Sequence, residues 1–557
     1  MEEQNTPNPQ TERQASDKRF SRLLFLGLFF ILILFVGKYL TDRQPRKQSV
    51  DGPWGKLLVV LDNIDQNYVD DIDRKDLMEK TLPQIMAELD PHSGYLPPAA
   101  LQKAEEDLTG NFDGIGVNFN VPADTAVVMN VIPGGPSERA GVQPGDRIVK
   151  VGERVVAGVK MDQDSIVRLL RGPRGSQVTI QVQRYGLSGL VPIPITRDKI
   201  SSNSVDVGYM VTDDIAYIKL SKFTRSSYLD VVKAMAELSK QGMRKLIFDL
   251  RDNTGGYVDQ ALRIVNEFLD KGQLMVYTEG SRRARQDYYT ESRGVAADME
   301  LVVLQDEGSA SSSEIMAGAL QDNDRGTIVG RRSYGKGLVQ EPIYFSDGSG
   351  LRLTVARFYT PTGRSLQRSY ENMNEYHYDI VERYRHGELV NADSIPRIDS
   401  LKFLTPKGKT VYGGGGIIPD VFVPMDTTRM NPFHLKASRG NMIFRYSIQF
   451  ADQHRPALKA IEDLPALQRF FKGYDLGALF LAYAARQGAV PKAGEWEECK
   501  VYIMTQLEAY IGRSTPLDNR AFYPIIGRLD RELEVAIKIL QGEKLAVTLG
   551  HNATIIQ

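Results

Sequence analysis

The sequence predicts a mixed α/β protein in which a glycine-rich β module precedes an α/β core. Between residues 200 and 424, short apolar runs alternate with helical patterns, which is the order expected of an α/β core. Residues 106–198 contain glycine turns between short strand-like runs. The flanking regions, 54–105 and 431–557, carry apolar residues at helical spacing instead.

The composition indicates a folded, multidomain protein. The chain has 557 residues, enough for about three or four domains, and 42% are hydrophobic and 25% charged. A net charge of −1 gives no indication of nucleic-acid binding. The single cysteine, Cys499, excludes an internal disulfide, and the sequence contains no C-x-x-C, H-E-x-x-H or P-loop pattern. We therefore expect no metal or nucleotide cofactor.

The N-terminal part of the chain predicts a membrane anchor. Residues 1–22 are polar and are expected to be disordered, whereas residues 23–40 are apolar apart from Lys38. A helix over this run would be roughly 27 Å long, close to the thickness of a bilayer core. Basic residues before the run favour a cytoplasmic N-terminus, although others follow it. We expect a single-pass protein of a bacterial inner membrane with its catalytic part in the periplasm. The alternative is a cleaved signal peptide, although no A-x-A-like cleavage site follows the apolar run.

Residues 54–105 predict helices that end in a turn. Apolar side chains recur at helical spacing over 57–68 and again over 77–89. The sequence L-D-P-H-S-G-Y at 89–95 then breaks the helix, and we interpret His92 as a structural residue of this turn.

Residues 106–198 predict a small β module with glycine turns, two of them at Gly114 and Gly116. Its pattern resembles a PDZ domain, which implies that backbone N–H groups near these glycines hold a carboxylate and that the following strand offers an edge to an added peptide strand. Glycine turns over 132–148 and a helix over 163–170 complete the pattern. A small barrel without a ligand is the alternative interpretation.

Residues 199–430 predict the α/β core. The runs 215–218 and 245–250 have the apolar, branched composition of buried strands. A glycine-rich loop over 251–256 then leads into another helix. These features place a tight strand-to-helix turn at residues 251–256.

Residues 431–557 predict helices, for example over 501–511 and 529–540. We interpret this region as an appendage to the core. The sequence does not decide whether it serves dimerisation or access to the site, so a homo-oligomer is compatible with it.

The candidate catalytic stretch lies around two predicted strands of this core. The apolar run 301–304 is followed by Gly-Ser-Ala-Ser-Ser-Ser-Glu at 308–314 and then by a helical pattern. A serine at a helix N-terminus lies among backbone N–H donors that can stabilise an oxyanion. The second strand, 327–330, leads to Lys336, which has a glycine on either side.

Serine needs a base, and the nearby candidate is a lysine. All six histidines lie outside this stretch, and the G-x-S-x-G pattern is absent. Lys336 must be neutral to accept a proton, so its pKa must fall by about three units, or roughly 4 kcal/mol. From spacing alone, serines that only cap a helix and a surface lysine are an equally good interpretation.

The same stretch closely resembles the serine–lysine region of the carboxy-terminal processing peptidases, also called tail-specific proteases. Their pattern, roughly S-A-S-A-S-E followed by F-G-K-G-x-x-Q, is similar to residues 309–314 and 334–340. The resemblance implies that Ser311 is the nucleophile, Lys336 its base and Gln340 the residue that orients the lysine.

The resemblance also implies an oxyanion hole made of backbone N–H groups. The loop 251–256 is similar to the family pattern D-L-R-x-N-x-G-G and implies a donor at Gly256. The second donor is the N–H of Ser312. Ser312 replaces an alanine of the family pattern, and its side chain is expected to matter little because only its backbone is used.

The similarity extends over residues 57–424 and implies a ClpP/crotonase-like α/β core with an inserted PDZ domain. The loop Gly114, Ile115, Gly116 and Val117 is then expected to bind the terminal carboxylate of a substrate. The expected partners are protein substrates with exposed C-termini and, through the N-terminal helix, the membrane.

The sequence therefore predicts a membrane-anchored serine endopeptidase that selects substrates by their C-terminal tails. One alternative is a non-catalytic PDZ scaffold with an inactive protease-like core, against which the intact set of Ser311, Lys336 and Gln340 argues. Another is a Ser/His enzyme, which would require one of the histidines.

Overall fold

The computed structural model describes residues 52–426 and 431–543, and the chain divides into two compact units, Met1–Thr81 and Leu82–Gln557. In the first unit, helix α1 (Pro53–Asn67) begins with a proline, whose fixed φ suits the first helical turn. Helix α2 (Arg74–Ala87) starts in the first unit and ends in the second. Both helices lie where helical spacing predicts them.

The predicted membrane anchor, residues 23–40, lies outside the described residues. Of the helices within 52–426 and 431–543, none has both the length and the apolar character that a membrane crossing needs.

The β-rich module of the second unit agrees with the prediction for residues 106–198. After strand β1 (Gly94–Leu96) and helix α3 (Pro98–Thr109), its elements are β2 (Asn111–Gly114), β3 (Val117–Asn120), β4 (Ala126–Val131), α4 (Pro136–Arg139), β5 (Arg147–Val151), β6 (Arg154–Val155), α5 (Gln163–Leu170), β7 (Gln177–Gln183), β8 (Leu190–Thr196) and β9 (Asp198–Ser201). The main sheet has the order β3-β4-β5-β7-β8, with β6 paired to β5 and a separate pair joining β2 to β9. Strand β7 alternates buried and exposed side chains because one of its faces packs on the module's core.

The central sheet of the core is mostly parallel. Its strands are β10 (Val205–Met210), β11 (Ile215–Leu220), β12 (Lys245–Asp249), β15 (Glu300–Gln305), β16 (Thr327–Gly330) and β21 (Val421–Phe422), in the order β10-β11-β12-β15-β16-β21. Only β10 runs antiparallel to its neighbour. Strands β12 and β15 are buried on both faces, which is why they read as continuous apolar runs. Their carboxyl ends lie side by side and carry the two candidate loops.

A second, antiparallel sheet includes the strand that directly follows the lysine segment. It contains β13 (Leu274–Gly280), β14 (Arg283–Tyr289), β17 (Leu338–Tyr344) and β18 (Gly350–Tyr359), in the order β1-β18-β13-β14 with β17 also paired to β18. Strand β17 begins two residues after Lys336, so the chain continues directly from the lysine into this sheet. A small hairpin joins β19 (Lys402–Leu404) to β20 (Thr410–Tyr412).

Three helices pack on one face of the central sheet: α6 (Ser227–Lys240), α7 (Val258–Asn266) and α8 (Ser312–Asp322). Every residue of α8 is buried. Its Met316 packs with the central sheet and its Ile315 with Val276 and Phe358 of the second sheet. Helix α8 is therefore held between the two sheets, and so is the serine that precedes it.

The remaining helices follow the second sheet along the chain. They are α9 (Met373–His377), α10 (Asp379–Arg385), α11 (Pro432–Arg439), α12 (Met442–Gln453), α13 (Arg455–Lys459), α14 (Leu464–Phe471), α15 (Leu476–Arg486), α16 (Glu495–Arg513), α17 (Asn519–Ile526) and α18 (Arg531–Leu540). The helices from α11 to α17 share a hydrophobic core of their own.

The C-terminal helices are more than an appendage, because two parts of them pack on the rest of the unit. Leu533 and Ala536 of α18 cover Val302 and Leu304 on the second face of the central sheet. The helices also contact the β-rich module, where Asp452 accepts a hydrogen bond from Arg147 at 2.8 Å. The core is thus a three-layer structure whose third layer comes from the end of the chain.

Candidate active site

Ser311 lies at the turn between β15 and α8. Its backbone has φ 56° and ψ −113°, a conformation that is rare for a residue with a side chain. Such strain persists only where neighbouring contacts impose it, and it is concentrated at functional sites. The neighbour here is Gly255, where an added Cβ would lie 2.8 Å from Ser311 Cβ. The predicted nucleophile is therefore a strained residue against which the 251–256 loop packs closely.

Glu314 connects the serine turn to the lysine segment. Its buried carboxylate accepts hydrogen bonds from the N–H groups of Ser311 at 2.8 Å, Gly335 at 2.7 Å and Lys336 at 2.8 Å, and from Ser333 Oγ at 2.6 Å. One oxygen, Oε2, joins the backbone nitrogens of Ser311 and Lys336 directly. Burial raises the pKa of Glu314, while the four donors favour its charged form. Glu314, which the sequence marks only as a residue of the helix start, fixes the two candidate catalytic residues relative to each other.

Lys336 is partly buried in this arrangement. Burial lowers the pKa of its ammonium group, and the positive charge of Arg352 lowers it further. The carboxylates of Glu314 and Asp90 oppose the shift but do not cancel it. The pKa is thus displaced in the direction that a lysine base requires.

His92 and Gln340 lie beside the lysine. The side-chain amide of Gln340 donates to the carbonyl of His92 at 2.7 Å. Burial, followed by the charge of Lys336, lowers the pKa of His92 to about 4, so its ring is neutral near pH 7. Its Nε2 is paired with the hydroxyl of Tyr376. The predicted role of Gln340, to orient Lys336, stays a prediction, and the hydrogen bond seen for its amide holds the turn at His92.

The expected oxyanion donors, Gly256 and Ser312, are neighbours. An added Cβ on Gly255 would lie 2.9 Å from the nitrogen of Ser312, and one on Gly256 would lie 2.0 Å from the carbonyl oxygen of Phe223. Glycine is required at both positions by this close approach. The side chain of Ser312 donates to the carbonyl oxygen of Gly256 at 2.9 Å. The expectation that this side chain matters little stays a prediction, and its hydroxyl joins the two predicted donors.

Asp306 and Asn253 hold the two loops against each other. Asp306 Oδ1 accepts the N–H of Asp252 at 2.9 Å and that of Ser309 at 3.1 Å. The carbonyl oxygen of Asn253 accepts the N–H of Ala310 at 3.0 Å. The serine turn and the 251–256 loop therefore form one hydrogen-bonded unit at the carboxyl edge of the sheet.

The predicted peptide-binding loop of the β-rich module has its carbonyl groups turned inward. The carbonyl of Ile115 accepts from Ser137 N–H at 3.0 Å and that of Gly116 from Ile132 N–H at 3.1 Å. Gly116 has φ 74°, which suits glycine. The next strand, β3, pairs with β4 alone among the described strands, so its other edge is free for an added strand. The binding role of Gly114, Ile115, Gly116 and Val117 stays a prediction that this geometry fits.

Two features of the site are absent from the sequence interpretation. His92 lies near Lys336 although it is far from it in sequence, and no local pattern joins the two residues. The hydrogen bond from Ser312 Oγ spans 56 residues and has no periodic pattern that could reveal it.

Family models match three parts of the chain. Residues 214–373 match peptidase family S41, residues 127–184 match a PDZ domain, and residues 433–515 match a domain family of unknown function, DUF8443. The first two matches agree with the predicted core and with the predicted peptide-binding module.

Curated relatives carry protease names. A carboxy-terminal-processing protease of Bartonella bacilliformis is 34% identical over 313 residues, which is 55% of this chain and 71% of the relative. A probable CtpA-like serine protease of Staphylococcus epidermidis is 30% identical over 365 residues, covering 64% of this chain and 69% of the relative. Among solved structures, a photosystem II D1 C-terminal processing protease is 30% identical with a TM-score of 0.35, covering 57% of this chain and 85% of that protein.

The identity and extent of the match to the Bartonella protein decide the assignment, together with the S41 and PDZ family models. The chain belongs to the S41 family of carboxy-terminal-processing serine proteases and carries a PDZ domain.

Proposed function

We propose that the protein is a membrane-anchored endopeptidase that cuts with a Ser311–Lys336 dyad and selects substrates by their C-terminal residues. The observation that carries the dyad is the buried carboxylate of Glu314, which binds the backbone of both residues through one oxygen. A second support is the lowered pKa of Lys336.

In the proposed reaction, Ser311 Oγ attacks the carbonyl carbon of the scissile peptide bond while Lys336 Nζ accepts the hydroxyl proton. The resulting oxyanion is held by the N–H groups of Gly256 and Ser312. The proton then passes from Lys336 to the leaving amine, and an acyl-enzyme forms at Ser311. A water molecule, deprotonated by Lys336, releases the new C-terminus.

Substrate selection is proposed for the PDZ domain. The free edge of β3 would accept the tail of the substrate as an added strand, and the N–H groups of the loop 114–117 would bind its terminal carboxylate. Protein substrates with exposed C-termini follow from this arrangement.

The proposed location is the bacterial inner membrane, with the catalytic part in the periplasm. Its support is the apolar run at residues 23–40, whose length suits a bilayer. Membrane fractionation with N-terminal sequencing tests it: a mature N-terminus beyond residue 40 would indicate a cleaved signal peptide.

The catalytic proposal is tested by incubating the purified protein with unstructured peptides and mapping the cuts by mass spectrometry. We expect cleavage by the unchanged protein and no cleavage by Ser311→Ala or Lys336→Ala, while His92→Ala keeps most of the activity. Activity in Lys336→Ala would refute the dyad, and its loss in a folded His92→Ala would point to a histidine base.

A further inference from the structure

Helix α18 begins beside the two loops of the candidate active site. Between this helix and the carboxyl edge of the central sheet lies a cavity of about 320 Å³. Charged side chains and tyrosines line it, among them Tyr217, Asp249, Arg251, Arg331, Asp530 and Glu532. The two arginines come from the core, whereas Asp530 and Glu532 come from the start of α18.

Arg251 is held from both sides. Its guanidinium donates to Asp249 at 2.6 Å and to both carboxylate oxygens of Asp530, at 2.9 and 2.6 Å. Glu532 is a weaker partner at 3.4 Å. The pairing with Asp530 is a two-pronged arginine–carboxylate contact, which fixes orientation as well as distance. Asp249, which is fully buried, is the acceptor on one side of Arg251, and Asp530 supplies the acceptors on the other side.

Arg331 follows strand β16 and is held in a similar way. Its Nε donates to Glu307 at 2.7 Å, and its Nη1 is paired with Glu532. Glu307 immediately precedes the turn at residues 308–311. Strands β12 and β16 are the two neighbours of β15, the strand that leads to Ser311. Glu532 therefore contacts the arginine that follows each of these neighbours, Arg251 after β12 and Arg331 after β16.

These contacts are close to the groups of the proposed reaction. Arg251 is followed by Asp252, whose N–H is bound by Asp306 at 2.9 Å, and Asp306 also binds Ser309 N–H. The same loop ends in Gly255 and Gly256, against which Ser311 and Ser312 pack. A displacement of Arg251 would thus move the oxyanion loop and the serine turn together.

Helix α18 is itself firmly placed. Asp530 caps it, since its Oδ1 accepts Leu533 N–H at 2.9 Å. Leu533, Ala536 and Leu540 are buried against the central sheet. The carboxylates at its start are therefore presented from a packed helix and not from a free tail.

We infer that Asp530 and Glu532 are positioning residues of the active site, which hold Arg251 and Arg331 and through them the oxyanion loop and the serine turn. The inference rests on the proposed function, because it assigns these carboxylates to the same reaction. It makes the C-terminal helical region a working part of the protease, 279 residues away in sequence from Arg251.

The test uses Asp530→Asn in the full-length protein. Asparagine is as good a helix cap as aspartate, so α18 should keep its start, while the charge that orients Arg251 is lost. We expect kcat on an unstructured peptide to fall about tenfold, with KM within about twofold, because misplacement of the loop affects the transition state more than binding. Glu532→Gln is a second, independent variant, for which we expect a fall in kcat of about threefold or more.

The matched control is Glu534→Gln on the same helix. Glu534 pairs with Lys538 at 2.6 Å on the exposed face, away from both arginines. We expect it to leave kcat unchanged. Unchanged kcat in both Asp530→Asn and Glu532→Gln would overturn the inference. An equal fall in kcat in Glu534→Gln would also overturn it, and so would a fall in kcat that is accounted for by a lower melting temperature of the variants.

A serine-directed phosphonate separates this inference from the proposed function. The label should map to Ser311 in the unchanged protein, and its rate of attachment should fall in Asp530→Asn in step with kcat. A label that maps elsewhere in the unchanged protein would refute the proposed function. A label on Ser311 whose rate does not change in the two α18 variants would refute the inference alone.

Discussion

At the scale of single residues, the proposed reaction depends on a lysine that has to lose its proton before it can act. Burial and Arg352 lower the pKa of Lys336 from its ordinary value. The pKa of His92 is about 4, so this histidine is neutral throughout the range in which the enzyme would be assayed. A dependence of the rate on pH between about 6 and 10 should then report the lysine.

The first prediction concerns this pH dependence. A lysine base works only above its pKa, so kcat/KM should rise with pH through the lowered pKa of Lys336 and then become constant. Lys336→Arg should be inactive at every pH, because a guanidinium stays protonated. The measurement is kcat/KM against pH for both proteins, with chemistry shown to limit the rate. A flat profile would contradict the assignment of the base.

A second prediction concerns the hydroxyl of Ser312. Its hydrogen bond to the carbonyl of Gly256 keeps the two proposed oxyanion donors at a fixed separation. Ser312→Ala removes one neutral hydrogen bond, worth about 1 kcal/mol, so kcat should fall about fivefold while KM stays nearly unchanged. Steady-state kinetics measures the effect.

Ser313→Ala is the control for Ser312→Ala. Ser313 Oγ donates to the carbonyl of Asn253 at 2.8 Å, so this variant removes a comparable hydrogen bond between the helix start and the same loop, but not the one at Gly256. A similar fall in kcat for both variants would mean that the hydroxyl of Ser312 only helps to hold the loop against the helix start.

At the scale of elements, the sequence predicts the strands of the core well and their distant contacts poorly. Strand β16 has the predicted bounds, and β12 and β15 differ from them by a residue or two, because strands buried on both faces appear as uninterrupted apolar runs. The amphipathic pattern of α18 is visible in the sequence, but the pattern does not specify which surface it covers. Its contact with Val302 depends on the fold of the whole chain.

The candidate site divides in the same way. Ser311 and Lys336 can be named as candidates from the sequence because the motif that contains them is local and resembles that of a family. The bridge through Glu314, the neighbourhood of His92 and Lys336, and the ion pair of Arg251 with Asp530 join residues that no local pattern connects. Apolar periodicity carries no information about such polar pairs.

The third prediction concerns strand β3 and the loop before it. A free C-terminal acid should be bound by the N–H groups of the loop, whereas an amide lacks the charge and sets N–H groups against N–H donors. Amidation of a peptide substrate should therefore lower kcat/KM about tenfold or more. Gly116→Pro should abolish this difference, because proline cannot adopt φ 74°.

A matched control for the PDZ variant is Gly186→Pro. Gly186 also has a positive φ, of 79°, but it lies in the turn between β7 and β8, at the other end of the sheet order from β3. This variant should keep the preference for the acid. If acid and amide peptides are cut equally fast by the unchanged protein, the PDZ domain does not read C-terminal tails.

At the scale of the whole molecule, the C-terminal helices contact both the PDZ domain and the protease core, although all three are separate segments of the sequence. They contact the PDZ domain through Asp452 and Arg147, and they supply the third layer of the protease core through α18. The core should therefore lose stability when α18 is detached from it.

The fourth prediction tests this third layer. Ala536 is fully buried against the sheet, so Ala536→Asp would place an unpaired charge there and should destabilise the protein by more than about 3 kcal/mol. Ala482→Asp introduces the same side chain at an exposed position of α15 and should change stability little. Urea unfolding measures both. Equal midpoints for the two variants would show that α18 does not cover the core.

The ion pair of Arg251 with Asp530 also bears on the order in which the protein is made. Translation proceeds at about 5–20 residues per second, so the 279 residues between the two partners take roughly 15 to 55 s to synthesise. For most of that time the PDZ domain, Ser311 and Lys336 have already been made, but helix α18 has not. On the proposed role of Asp530, a nascent chain should gain its full activity only when its own C-terminal helix has been synthesised.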